Sequence, residues 1–495
     1  MTIIFGVLII PWFQADQSST PTLRIIESTR KLFRAWSYLF VGPSIIIDEF
    51  QRCGEKPFEV NSPDVRMVFV SSPKHIKELD NAPDAVLSLN GAAKHMLQPL
   101  YTMNGFNWFD RRGVEGVGFV RTLRTLLTNN LPQLLPDLGL LTRLRWAELL
   151  SNASQDKGIP HARIYPMIMD LVVLLNARSL FGEELAKNES FMASALGYVE
   201  ETLLNAEIVR LLPKPLAPVV GGMLSRCLTS HKTFFKSLLP AAELRIQEHN
   251  LKTLGHPMPQ RADCIQWIIE TAPKQNPWSA DRVIYELMAI WFGSTIVYVI
   301  QDLSLHPEYI EPIRRELQNS YIDFERTGRG LPLLDSFIKE SARLTPVESI
   351  SVRRCALQPF SLSDGTKVGV GDWACAPSGA INNNAEYYPS PQEFSGFRFV
   401  DPKILLEMDG ITPSAAMQSK PTKITDADYS FLMWGTGRMA CPGRFYAAAF
   451  MKVVVAQLIM NYDFTLMKPN APRWITWRTA KIPRPWTKMA FSKRQ

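Results

Sequence analysis

Trp434-Gly435-Thr436-Gly437-Arg438-Met439-Ala440-Cys441-Pro442-Gly443 is the stretch on which the reading of this chain turns. A cysteine that ligates iron as a thiolate must let a flat macrocycle come close, so small residues should surround it. Gly435 and Gly437 allow the backbone to turn tightly, and Gly443 leaves room beside a ring. Pro442 suits the first turn of a helix, which would set Cys441 at a helix N-terminus, where free N–H groups and the dipole favour negative charge. The plain alternative is a buried cysteine in a turn before a helix. The other five cysteines (Cys53, Cys227, Cys264, Cys355 and Cys375) are scattered without a C-x-x-C pair, and their spacing fits no zinc site.

Two further signals lie upstream. Glu340-Ser-Ala-Arg343 places a carboxylate and a guanidinium at i, i+3 on one helix face, a pairing that many solvated helices also carry. Phe397-Arg398-Phe399 leads a charge between two aromatic rings. An arginine drawn into such a place needs a partner, and Glu340 is the candidate.

Taken in this order and spacing, the three motifs resemble the cytochrome P450 family. Its E-x-x-R helix matches Glu340 and Arg343, its aromatic-Arg-Phe loop matches Arg398, and its cysteine loop matches residues 434–443. The likeness runs from about residue 55 to 485. Segments such as LHPEYIEPIRREL (305–317) and NNNAEYYPSPQEFSGFRF (382–399) are similar to fungal members, including the ent-kaurene oxidases. The resemblance implies haem b as cofactor and Cys441 as axial iron ligand. It also implies an ion-pair triad of Glu340, Arg343 and Arg398 that locks the cysteine-loop region to the core. Arg354, Arg438, and either Arg121 or Arg124 would meet the haem propionates, with Gly435 and Gly443 beside the ring.

Two departures from the family pattern stand out. Met439 occupies the position two before the cysteine, where an Arg or His usually bonds a propionate, and Met cannot donate a hydrogen bond. On the oxygen side, a count back from His306-Pro307-Glu308 puts Trp291 where the family has a proton-relaying Thr. Ser294 and Thr295, one turn on, would supply a hydroxyl if the helix bulges, or would merely bond the preceding turn's carbonyls.

Working outward, the 495-residue chain is 46% hydrophobic and 20% charged, which excludes a disordered protein. Its net charge of +7 comes without a block of like charges, so nucleic acid is not expected. An acidic protein partner or an anionic membrane suits it better. Residues 57–71 alternate like strands, and helical patterns dominate from about 115 to 345: Gly116–Leu131, Ala162–Leu180, Ser190–Leu211, Leu228–Glu248 and Ser279–Leu305. Short strands follow Pro346 at Ile350–Arg354, Phe360–Leu362, Lys367–Val370 and Trp373–Ala376, and a helix closes the pattern from about Pro442 to Met460. The expected fold is mainly α with a minor β-sheet region, the cytochrome P450 fold.

Residues 1–20 read as a short membrane-associated segment, since the apolar run Met1–Phe13 falls short of the roughly 20 residues a spanning helix needs. Residues 21–495 read as one catalytic domain. The expected enzyme is a monooxygenase on the endoplasmic reticulum membrane, its domain facing the cytosol. It would act on an apolar small molecule of terpenoid or meroterpenoid type, with electrons from NADPH–cytochrome P450 reductase. Pocket walls would come from about 85–107, 287–295 and 347–351. Two alternatives stand beside it: a haem-thiolate isomerase, dehydratase or rearrangement catalyst that needs no dioxygen, and a non-catalytic haem-binding protein.

Overall fold

The computed structural model describes residues 21–106, 108–109, 118–156, 158–289, 296–407 and 414–494. Its centre is the helix Arg444–Asn461, buried on nearly every side from Tyr446 to Ile459. A helix apolar all round can only sit inside a large helical body. Leu131–Ser151, Ile164–Phe181, Ile296–Leu305, Ile310–Thr327 and Pro332–Leu344 enclose it, and their buried side chains form one continuous core. Among the described residues, Ile164–Phe181 is the one helix long and apolar enough to cross a membrane, and most of it is buried in that core.

Local chemistry sets several of these boundaries. Ser72, Asp263 and Ser279 accept backbone N–H bonds at the starts of Pro73–Asn81, Cys264–Thr271 and Ala280–Met288. Gly328 ends Ile310–Thr327 in the left-handed region (φ 68°). The Gly116–Leu131 pattern becomes a helix at Gly118–Arg121 that widens into a π-helical turn over Thr122–Leu127.

The main sheet runs in the spatial order Phe58–Asn61, Arg66–Phe69, Trp373–Ala376, Ser351–Ala356, Leu87–Ser88. Arg66–Phe69 and Trp373–Ala376 pair in parallel and the other neighbours antiparallel. The register slips between Ser351 and Arg354, where Val352 takes φ 52°. That bulge decides which of two adjacent arginines turns inward: Arg354 is buried, while Arg353 bonds the Glu348 carboxylate.

A second sheet, Tyr462–Leu466, Lys488–Lys493, Ile159–Arg163 and Ser154–Asp156, and the hairpin Trp474–Trp477 with Ala480–Pro483 are absent from the sequence reading. Their strands are short, and the pair that holds the second sheet together, Lys488–Lys493 on Ile159–Arg163, joins segments more than 300 residues apart. Pro21–Cys53 is also a long helix, bent at Val41 just before Pro43.

Candidate active site

The strongest construction in the molecule is the cluster around Glu340, Arg343 and Arg398, none of which meets solvent. Arg343 donates from Nε to Glu340 Oε2 (2.7 Å) and from Nη2 to Oε1 (2.9 Å). Arg398 Nε donates to both carboxylate oxygens (3.0 and 3.1 Å), and the Ser395 N–H adds a bond to Oε1 (2.9 Å). One carboxylate facing two guanidinia leaves a positive charge in the interior. Backbone carbonyls absorb it: Arg343 Nη1 donates to Asn382 and Pro391 (both 2.7 Å), and Arg398 Nη1 donates to Pro389 and Ala416 (both 2.5 Å). The arginines thereby organise the irregular stretch 382–398 and anchor Ala416 against it, satisfying carbonyls that no helix or sheet ladder takes up.

From there the order passes to the cysteine loop. Tyr388, whose ring lies 5.0 Å from the Arg343 guanidinium carbon, donates its hydroxyl to Ser430 O (2.8 Å). Ile424 N–H donates to Asp335 (2.8 Å), and the Trp434 indole donates to Ile424 O (2.6 Å). Ser351 donates to Leu432 O (2.6 Å). Gly435 and Gly437 adopt φ 72° and 58°, and the resulting turn closes with Cys441 N–H on Trp434 O (2.7 Å).

Cys441 does stand before a helix, but the geometry differs from the expectation for Pro442. The helix begins at Arg444 with Gly443 as its N-cap, so Pro442 precedes it. The backbone N–H groups of Gly443 and Arg444 lie near enough to the Cys441 sulfur to favour its charged form. A first-turn proline would have removed one of them. Burial pushes the thiol above its ordinary range, while those two N–H groups and the Arg444 guanidinium pull it back. Arg444 is a residue the sequence reading passed over. It donates to Thr425 O (3.0 Å) and Cys441 O (3.1 Å), and its spacing three residues after the cysteine was the available signal.

The predicted propionate residues gather beside this loop. Arg354, buried, donates from Nη2 to Asp80 Oδ1 (3.3 Å). Arg438, half exposed, donates to Ala82 O (2.7 Å) and Asp84 (3.0 Å). Arg121 and Arg124 are both exposed, but Arg124 donates to Arg438 O in the loop (3.4 Å), which favours Arg124 of the two. Asp80 and Asp84 were not anticipated, because nothing in their local sequence marks them. Met439 is buried at the end of the short Gly437–Met439 turn.

Two observations test whether a haem suits this place. The backbone requires no glycine at 443 (φ −87°), and the space a side chain there would enter is bounded by Leu123 Cδ1, 3.6 Å from where a Cβ would stand. Thr436 Oγ1 is buried without a hydrogen-bond partner. A soft sulfur donor near two N–H groups, a cleared position beside it and guanidinia gathered at the rim suit an iron macrocycle that carries carboxylates. Trp291, Ser294 and Thr295 lie outside the described residues.

The family model for cytochrome P450 matches residues 32–485. The chain belongs to the cytochrome P450 family. Cytochrome P450 monooxygenase hepE of Aspergillus oryzae is 30% identical over 87% of this chain and 77% of its own length. Cytochrome P450 monooxygenase olcJ of Penicillium canescens is 25% identical over 92% and 84% respectively. Among solved structures, retinoic acid bound cyanobacterial CYP120A1 superposes with a TM-score of 0.65 at 18% identity. It covers 90% of this chain and 93% of its own, and so attests the fold. The likeness to fungal members therefore holds. This P450 is an oxidoreductase of the monooxygenase type, and haem b is its cofactor.

Proposed function

We propose that this P450 inserts one oxygen atom from dioxygen into an apolar fungal secondary metabolite of terpenoid or meroterpenoid type, with electrons from NADPH–cytochrome P450 reductase. The observation that carries the reading is Cys441 in a loop turned by Gly435 and Gly437, closed by its N–H bond to Trp434 O and packed beside the region that the Glu340–Arg343–Arg398 cluster organises. In this reading Cys441 would hold the haem iron through its sulfur, and a thiolate there would supply electron density that favours O–O cleavage.

The remaining assignments follow from where the side chains stand. The N–H groups of Gly443 and Arg444 favour the thiolate without competing for its position. Arg354 and Arg124 hold the propionate side, with Arg438 available from the loop itself. Glu340, Arg343 and Arg398 act through the loop they organise and are positioning residues.

Residues 21–495 form the catalytic domain in this proposal, facing the cytosol, and 1–20 the segment that associates with the endoplasmic reticulum membrane. Exposed Phe33 and Phe40 on Pro21–Cys53, with Val219 and Met223 on Ala217–Cys227, support contact with a lipid surface. The net charge of +7 supports an acidic reductase.

The test is turnover of terpenoid and meroterpenoid scaffolds by the full chain with purified reductase, with products identified by mass. Products one oxygen heavier, formed only with NADPH and dioxygen, are expected. A rearranged product formed without either would replace monooxygenation by isomerisation.

A further inference from the structure

Between the helix Pro73–Asn81 and the cysteine loop lies a second group of charges. Asp80 stands in the last turn of that helix and Asp84 follows it, while Arg354 comes from the strand Ser351–Ala356 and Arg438 from the loop itself. Arg354 Nη2 donates to Asp80 Oδ1 (3.3 Å), and Arg438 Nη2 donates to Asp84 Oδ1 (3.0 Å). Both side chains of the first pair are buried, whereas Arg438 is half exposed.

Asp80 is the anomaly among them. Nothing local favours a carboxylate there, since it lies out of water and the C-terminal end of a helix opposes negative charge. Its contact with Arg354 is long, and among the described residues its Oδ2 is buried without a hydrogen-bond partner. That oxygen lies against the cysteine loop. A Cβ on Gly437 would stand 2.9 Å from it, so the carboxylate uses the space that the glycine leaves free. A buried pair of this kind adds little to stability compared with apolar side chains of the same size. A residue that breaks its local rules, where another element makes room for it, points to a role outside its own helix.

The role follows from the charge at the rim. Arg124, Arg354 and Arg438 gather where the haem carboxylates belong, and Met439 adds no charge. Asp80 and Asp84 cancel two of those three positive charges, and Asp80 does so where solvent screens it least. Reduction of the iron takes one electron from the reductase, with no bond made and no proton moved. The added negative charge is opposed by a buried carboxylate nearby and favoured by the guanidinium which that carboxylate neutralises.

We propose, on the reading of Cys441 as the sulfur ligand of the iron, that Asp80 is the counter-charge that holds the reduction potential of the haem down. It acts through Arg354 and across the loop, and is therefore a positioning residue. Over about 10 Å at an effective dielectric of about 20, one unit charge shifts an equilibrium roughly tenfold.

The test is reductive titration of the holoenzyme with dithionite and mediator dyes, read from the Soret band. In Asp80→Asn the equilibrium should move about tenfold toward the ferrous form, or about 59 mV in midpoint for one electron. Asp80→Glu, which keeps the charge, should restore the wild-type midpoint. Asp84→Asn, whose arginine is half exposed, should move the midpoint the same way by less. It decides the matter if Asp80→Asn does not hold haem, and an unmoved midpoint there overturns the proposal. A purely structural Asp80 would change haem retention and leave the midpoint in place, so an unchanged or lowered midpoint in haem-loaded Asp80→Asn also overturns it. A wild type with the thiolate-type ferrous–CO Soret band keeps the ligand reading standing in that event. A wild type without that band overturns the ligand reading itself, and the counter-charge with it.

Discussion

Glu340→Gln is the substitution with the largest consequence that the geometry allows to be worked out. The carboxylate accepts from Arg343 twice, from Arg398 at both oxygens and from the Ser395 N–H, and none of the three side chains meets solvent. Removal of one partner from a buried ion pair costs about 3–5 kcal/mol, because the other charge stays buried. Here two guanidinia lose their shared counter-charge, so the upper end of that range applies. A typical domain has only about 5–15 kcal/mol in total. The expected outcome is a chain that accumulates poorly and retains little haem. Its urea midpoint should be lower, and the stretch 382–398 should be the first to exchange amide hydrogens. Haem content per polypeptide, urea melts and hydrogen exchange read this directly. Arg343→Lys separates charge from geometry: it keeps the cation but loses the fork that reaches Asn382, Pro391 and Glu393, so it too should fail to hold haem. A Glu340→Gln protein with wild-type midpoint and full haem content would refute the reasoning.

Cys441→Ser should fold with near-native stability yet lose the thiolate-type ferrous–CO Soret band, since a hydroxyl replaces the sulfur without disturbing the Cys441 N–H bond to Trp434 O. Arg124→Gln and Arg354→Gln should each weaken haem retention by about 1–3 kcal/mol, while Arg121→Gln, which lacks the Arg124 bond to the loop, should not; haem dissociation rates compare the three. His95 is held down to about 4 by burial and by Arg210 and Arg478. The folded protein therefore binds fewer protons than the unfolded chain between about pH 4 and 6.5. Its contribution is complete above pH 6.5 and is lost on acidification through that window, with a slope of at most about 1.4 kcal/mol per pH unit. Urea melts of wild type and His95→Gln across pH 4–7 should differ in that slope, and parallel lines would contradict it.

What could be read from one dimension was the chemistry that depends on neighbours in sequence. The glycines that let the 434–443 loop turn, the E-x-x-R spacing on one helix face, and the alternation of 57–71 are local properties, and each is found where the sequence places it. Even the departure at Pro442 is a shift of the helix start by only two residues, to Arg444 behind Gly443 as N-cap. The sequence determined the cysteine loop and the family it belongs to. Only the tertiary structure decided which arginine of the pair 353–354 turns inward, because a bulge sets that, and that Asp80 and Asp84 meet the arginines beside the loop. It alone brought Asp64, Glu207, Arg210 and Arg478 into one ring of ion pairs, whose members lie up to 414 residues apart. Charge complementarity carries no positional information along a chain. It becomes readable only when packing brings the charges out of water and sets each one against its partners.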